Sequence, residues 1–164
     1  MPAKKIFGES FFEDVKSEFE HDARVRRHKL AFSIPKGMTT LYTDGRLLSE
    51  VLRNLVANAM KYTPNGGRIA VRVGLGKGGS VEFTVKDNGV GIPKEQQKRI
   101  FEKFFRASNV AQLDVTGTGL GLYIVRSLVR ELGGSITLTS EEGKGTTFTV
   151  SLPVGGPPSA DERG

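Results

Sequence analysis

The sequence predicts an α+β fold, a two-layer sandwich in which helices cover one face of a mixed, mostly antiparallel sheet. Three observations carry this. Stretches at 28–34, 69–75, 80–86, 135–140 and 146–152 read as strands, clearest where Leu30, Phe32 and Ile34 or Val81, Phe83 and Val85 alternate with other residues. Between them stand stretches at helical period, the strongest from Asp44 to Tyr62. Glycine-rich connections of hairpin length, "GKGG" at 76–79 and "EEGKG" at 141–145, join two of the strand pairs.

The elements follow in order. Phe11 to Glu20 spaces Phe11, Phe12, Val15 and Phe19 as a helix does. The 28–34 strand ends at Pro35 and Gly37. In the 44–62 helix, Leu48, Val51, Leu52, Leu55, Ala59 and Met60 form an apolar stripe, with Thr43 or Asp44 as cap and Pro64 with Asn-Gly-Gly as stop. A hairpin follows over 69–86, then a short helix around 94–104, then 106–118 with no clear period. A helix over about 119–132 ends at Gly133-Gly134, as a glycine C-cap would. The last hairpin precedes a tail, "GGPPSADERG", whose composition reads as disordered. The expected organisation is an extension over 1–6, one domain over 7–154 and a disordered tail over 155–164.

Composition narrows the function classes only a little. The 164 residues suffice for one domain with a real core. There is no cysteine, so disulfides and thiolate metal sites are excluded. No apolar run is long enough to span a membrane, and Met1 to Ser10 lacks the apolar core of a signal peptide. A net charge of +6 permits anionic ligands without choosing among them.

Three stretches carry chemistry. Asn54, Asn58 and Lys61 stand at i, i+4 and i+7, one face of the 44–62 helix. An amide oxygen can ligate Mg²⁺ and the ammonium can meet a phosphate, though a solvated helix face also looks like this. In "GTGLGLYIV" (117–125), glycines before a helix bare backbone N–H groups where the helix dipole favours an anion. A packing turn is the bland alternative. The spacing matches neither a dinucleotide fingerprint nor a P-loop. In "KDNGVGI" (86–92), Asp87 at a strand end can accept a hydrogen bond from an exocyclic amine, and the glycines let backbone approach a flat ring. An Asn-Gly turn alone would not need the acid.

Taken in order, these stretches resemble the boxes of the catalytic ATP-binding domain of sensor histidine kinases, in the ATPase superfamily shared with gyrase, heat-shock chaperones and mismatch-repair proteins. "NLVANAMKYTP" (54–64) resembles the N box, "DNGVGIP" (87–93) the G1 box, "FEKFFRA" (101–107) the F box and "GTGLGLYIV" the G2 box. "GKGTTFTVSLP" (143–153) is similar to the closing strand. The resemblance implies a Bergerat-type fold with ATP and Mg²⁺ as cofactors. It implies that Asn58 ligates Mg²⁺ with Asn54 beside it, that Lys61 and Arg106 reach the phosphates, and that Tyr62 lines the pocket. Asp87 would take the adenine amine over a floor shaped by Gly89, Gly91 and Ile92, backed by Phe148. Gly117, Thr118, Gly119, Leu120 and Gly121 would close over the triphosphate. The stretch 106–118, with no period and only scattered apolar residues, is expected to be a lid that nucleotide orders, with an ordinary surface loop as the alternative. Phe101, Phe104 and Phe105 are read as packing.

One position separates function classes. The ATPases of this superfamily and the anti-sigma serine kinases carry a Glu four residues before the metal Asn; here Asn54 stands there, which is no base. The resemblance therefore implies transfer of the γ-phosphoryl group to a histidine on a separate dimerisation and phosphoacceptor domain, with a response regulator downstream. "HDAR" (21–24) does not supply that histidine, because the interval from His21 to Asn58 is too short for a helical hairpin and a first strand. The chain reads as a catalytic domain cut from a larger kinase or as a stand-alone relative. The implied localisation is cytoplasmic, with no membrane contact by this domain, and anchoring of a parent in the inner membrane is left open. Two alternatives remain: an ATP-binding regulator without kinase activity, and a nucleic-acid module built on "RVRRHK" (24–29), for which no aromatic platform is present.

Overall fold

A computed structural model describes residues 4–35, 40–76, 78, 80–103, 105 and 121–153 of the chain. In order these form β1 (Lys4–Phe7), α1 (Gly8–Arg26), β2 (Lys29–Ser33), β3 (Thr40–Thr43), α2 (Gly45–Tyr62), β4 (Arg68–Leu75) and β5 (Val81–Asp87). A 3-10 helix (Lys94–Arg99), α3 (Gly121–Glu131), β6 (Ser135–Glu141) and β7 (Gly145–Leu152) follow. The main sheet runs β2-β4-β5-β7-β6, with β2 parallel to β4 and every other pair antiparallel. The two-layer sandwich expected from the sequence is therefore present.

Alternation explains how the layers meet. In β5, Val81, Phe83, Val85 and Asp87 are buried while Glu82 and Lys86 are exposed; β7 buries Thr146, Phe148, Val150 and Leu152. The buried side meets the apolar stripe of α2, where Leu48, Val51, Leu52, Leu55, Val56, Ala59 and Met60 are buried. Phe12 and Val15 of α1 and Val125 and Val129 of α3 complete one core. Phe83 at its centre has its ring 5.7 Å from that of Phe12. Phe101 and Phe105 pack against this core, as expected, while Phe104 lies outside the described residues.

Several boundaries differ from the reading above. Helix α1 runs well beyond 11–20 because Ala23, four residues after Phe19, continues its buried face. It ends at Arg27, whose φ of 58° is left-handed, with His28 N–H bonded to Ala23 O at 2.8 Å. That is a Schellman end with arginine where glycine is usual, so no glycine marked it. His28 precedes β2 and does not belong to the strand. The expected 94–104 helix is a 3-10 helix followed by turns, with i to i+3 bonds from Gln96 N–H to Pro93 O and from Glu102 N–H to Arg99 O. The small β1–β3 sheet was not foreseen; its partners, such as Lys4 and Thr43, lie far apart in sequence. The 106–118 stretch and the 155–164 tail lie outside the described residues. Among the described residues, no helix is long and apolar enough to cross a membrane.

Candidate functional site

At the end of β5 an acid stands where the alternation demands an inward side chain. Asp87 is only 6% exposed. Its Oδ1 accepts from Gly89 N–H at 2.8 Å and from Thr146 N–H at 3.3 Å, so both bonds that fix the carboxylate converge on one oxygen. Burial pushes its carboxyl above the ordinary aspartate range, against the lowering pull of those two bonds. A buried anion that raises its own pKa costs stability, so packing alone gives no reason to keep it.

The loop after Asp87 is built into its surroundings. A Cβ on Gly89 would run into the Tyr62 carbonyl oxygen and come within 2.9 Å of both Asp87 Oδ1 and Thr63 Oγ1. Gly91 has φ 71° and backs directly onto the Glu141 backbone. Val90 N–H donates to Tyr62 O at 3.1 Å, Ile92 N–H to Ser140 Oγ at 2.8 Å, and Gly143 N–H to Val90 O at 2.7 Å. Gln97 Nε2 then bridges Ile92 O and Ser140 O, both at 3.0 Å. The loop is thus pinned between the C-terminus of α2 and the β6–β7 hairpin. Phe148 is one inward step from Asp87's register partner Thr146 and meets Phe101 edge-on, centroids 6.1 Å apart.

The polar residues of α2 divide by depth. Asn54 and Asn58 are half-buried and Lys61 is exposed. Asn54 Nδ2 donates back to Glu50 O at 2.8 Å, which leaves its Oδ1 as the outward oxygen. A Cβ on Gly121 would lie 3.7 Å from that oxygen, so the start of α3 faces the polar side of α2. The structure therefore brings Asn54 to Gly121, and the Tyr62 backbone to Gly89 beside Asp87, while Gly91 and Ile92 are held against β6 and its hairpin and Phe148 packs on Phe101. Arg106, Gly117, Thr118, Gly119 and Leu120 lie outside the described residues.

Three participants escaped sequence reasoning. Thr146 supplies a backbone N–H to Asp87, a role set by strand register and invisible in a side-chain motif. Ser140 and Gln97 hold the loop from the far hairpin. At the end of α2, His28 Nε2 donates to Thr63 O (3.0 Å) and Pro64 O (3.2 Å), tying the start of β2 to the same corner. His28 Nδ1 and Thr63 Oγ1 are buried there without a hydrogen-bond partner among the described residues.

Comparison with known proteins agrees with this geometry. Residues 43–156 match the family described as histidine kinase-, DNA gyrase B-, and HSP90-like ATPase. The chain is 42% identical over 138 residues to the sensor-like histidine kinase SenX3 of Mycolicibacterium smegmatis, covering 79% of this chain and 35% of that protein. It is 41% identical over 111 residues to the aerobic respiration control sensor protein ArcB of Escherichia coli, covering 67% of this chain and 14% of that one. The chain thus spans a minor part of these relatives. Among solved structures, the catalytic domain of histidine kinase ThkA aligns with TM-score 0.77 and 27% identity over 93% of this chain and 97% of that one. Full-length ShkA in complex with AMPPNP aligns with TM-score 0.83 and 27% identity, over 96% of this chain and 32% of that one. A buried acid at a strand end, a glycine loop pinned beneath it and these alignments lead to one conclusion: the chain belongs to the histidine kinase-, DNA gyrase B- and HSP90-like ATPase family, with the catalytic domains of sensor histidine kinases among its relatives.

Proposed function

We propose that this chain, as one domain over 7–154, binds MgATP and donates the γ-phosphoryl group to a histidine on a separate phosphoacceptor domain. The observation that carries the reading is Asp87: a buried carboxylate with both of its fixing bonds on Oδ1, so that Oδ2 would accept the adenine amine. Gly89 and Gly91 let the loop pack against the Tyr62 and Glu141 backbones, which would hold it in place beneath a flat base beside the acid. Tyr62 and Ile92 would line that base and Phe148 would back it. The neighbour ShkA was solved with AMPPNP, an ATP analogue, which supports a nucleotide here.

The α2 face would take the phosphate end. Asn58 offers a half-buried amide oxygen, a hard donor of the kind Mg²⁺ prefers. Among the described residues no three His, Cys, Asp or Glu gather, so the ion would complete its shell from phosphate and water. When bound, magnesium neutralises phosphate charge. Lys61 and Arg106 would neutralise more, and the amides of Gly117 to Gly121 would close over the triphosphate. Asn54 would orient without accepting a proton. The β–γ P–O bond then breaks, ADP leaves, and a P–N bond forms to an imidazole nitrogen of the acceptor. The imidazolium proton is lost from the other nitrogen to a base that the acceptor domain supplies. A reaction that consumes ATP and passes its phosphoryl group on to a response regulator would run in the cytoplasm.

The test is phosphotransfer. The isolated chain is expected to bind MgATP, to leave His21 unlabelled, and to label a supplied histidine domain with acid-labile, base-stable phosphate. Asn58→Ala is expected to abolish transfer and metal-dependent binding while the melting temperature holds, since alanine is the better helix former. A melting temperature that drops with metal dependence intact would make Asn58 a structural amide. ATP binding with no transfer to any supplied acceptor would favour a regulator without kinase activity.

A further inference from the structure

The face of the main sheet turned away from the helices carries a charge pattern that the nucleotide reading does not use. Strand register places its side chains in rows. Lys29 of β2 stands beside Arg68 of β4; the next row is Ala31, Ala70 and Lys86; the next is Ser33, Arg72 and Thr84. Two alanines thus form a floor, with Lys29 and Arg68 above it, Lys86 beside it and Arg72 below. All four cations are exposed. Among the described residues, no ion pair within 4 Å holds any of their side chains.

This arrangement has a cost. Like charges directly across a ladder destabilise it, and Lys29 and Arg68 are register partners. Of the acids on this face, Glu141 lies on β6 paired with Lys144 at 3.3 Å, and the side chain of Glu82 leans toward the β4–β5 turn: a Cβ on Gly76 would lie 3.1 Å from Glu82 Cγ and 3.2 Å from its Oε1. Beyond the cations the face is hydroxylated, with Thr84, Thr147, Thr149, Thr137 and Thr139 in adjoining rows.

We propose that this face docks a carboxylate-bearing helix of a partner protein. Charge complementarity selects carboxylates, and the geometry selects a helix. Arg68 and Arg72 lie two steps apart on each side of Ala70, about 13 Å by strand rise, while Lys29 and Lys86 flank that line; acids at i and i+4 recur at about 6 Å along a helix and meet such a field over two turns. The small floor of Ala31 and Ala70 lets a helix ridge come close. A bilayer is the poorer fit, because the rows carry alanine, glycine and hydroxyls and no large apolar side chain to insert. A single-stranded nucleic acid would lack an aromatic to stack on. A second copy of this chain would offer α1, whose Glu13, Asp14, Glu20 and Asp22 are exposed, but Glu18 in the middle of that row is held by Arg53 at 2.7 Å and the Arg24 and Arg26 of its last turn would repel these cations.

The probe is a labelled, capped helical peptide with glutamates at i and i+4, titrated into the whole chain at about 50 mM salt, where screening is weak. Saturable binding is expected, with amide shifts centred on Ala31, Ala70 and Thr84. Lys29→Gln with Arg72→Gln is expected to weaken it about tenfold or more, while MgATP affinity holds and the melting temperature does not fall. The pair Lys98→Gln with Arg130→Gln removes equal charge from exposed sites elsewhere and is expected to change little. No binding, equal loss in both double variants, or amide shifts elsewhere would overturn the proposal. So would tighter binding of phosphatidylserine vesicles or duplex DNA through the same residues, or self-association abolished by the first pair.

Discussion

Lys86 and Asp87 are neighbours in the chain and stand on opposite faces of one sheet. Lys86 is exposed among hydroxyls and cations; Asp87 is buried against the helix layer, on the side that also buries Val85 and Phe83. Water solvates the first charge at little cost, whereas the second is desolvated and its carboxyl is pushed up. The difference teaches where a charge is informative. On the open face a single charge means little, and only the clustering of four around two alanines carries weight. On the buried face one charge suffices, because taking a carboxylate out of water has a desolvation cost that packing alone does not repay.

The comparison can be broken most forcefully at Phe83. Truncation to alanine on the buried face is expected to cost about 3–5 kcal/mol, whereas Thr84→Ala beside it should stay within about 0.5 kcal/mol. Chemical denaturation measures both, and near-equal losses would mean the open face is covered by a part of the protein that packs upon it.

Asp87→Asn tests function against stability at one position. An amide keeps an acceptor for Gly89 and Thr146 but loses the charge, so nucleotide affinity is expected to fall by about 1.5–3 kcal/mol, the worth of a hydrogen bond to a charged group. Stability should move the other way. The folded carboxyl titrates above its unfolded value, so its favourable contribution is fully present below the unfolded pKa and is lost as pH rises through the folded one. The variant should therefore melt at or above the parent at pH 7 and lose that advantage in acid. Calorimetry and melts at both pH values check this; a variant that melts lower at pH 7 would make Asp87 a structural acid.

Gly89→Ala sharpens the same corner without touching charge. Its methyl would meet the Tyr62 carbonyl, and backbone must shift, at about 1–3 kcal/mol for overpacking. Loss of the Val90 to Tyr62 bond should appear as faster amide exchange at Val90 together with weaker nucleotide binding. The smallest effect belongs to the open face. Lys29→Gln relieves its repulsion with Arg68 and is expected to raise stability by about 0.2–1 kcal/mol at low salt, a gain that high salt removes. An unchanged melting temperature at low salt would show that the two side chains diverge.

Much of this was readable from the chain. The α2 stripe and its Asp44 cap, both hairpins and the Gly133 end of α3 follow from local chemistry, and the structure reproduces them. Asp87 and its glycines stood out because an acid and two small residues broke a strand pattern at one point. What failed to show was of another kind. Helix α1 stops at Arg27 without a glycine, β1 finds β3 across a whole helix, and β2 lies parallel to β4 through a long crossover.

The sequence by itself determined the α2 helix and its cap, both hairpins, the Gly133 end of α3 and the family, because those depend on neighbours within a few positions. Only the tertiary structure decided that Thr146 would bond Asp87, that Ser140 and Gln97 would clamp the loop, and that Lys29, Arg68, Arg72 and Lys86 would ring two alanines. Those contacts join strands and loops remote in sequence. Their register is fixed by which faces must be buried together, a condition of the whole core that no single stretch contains.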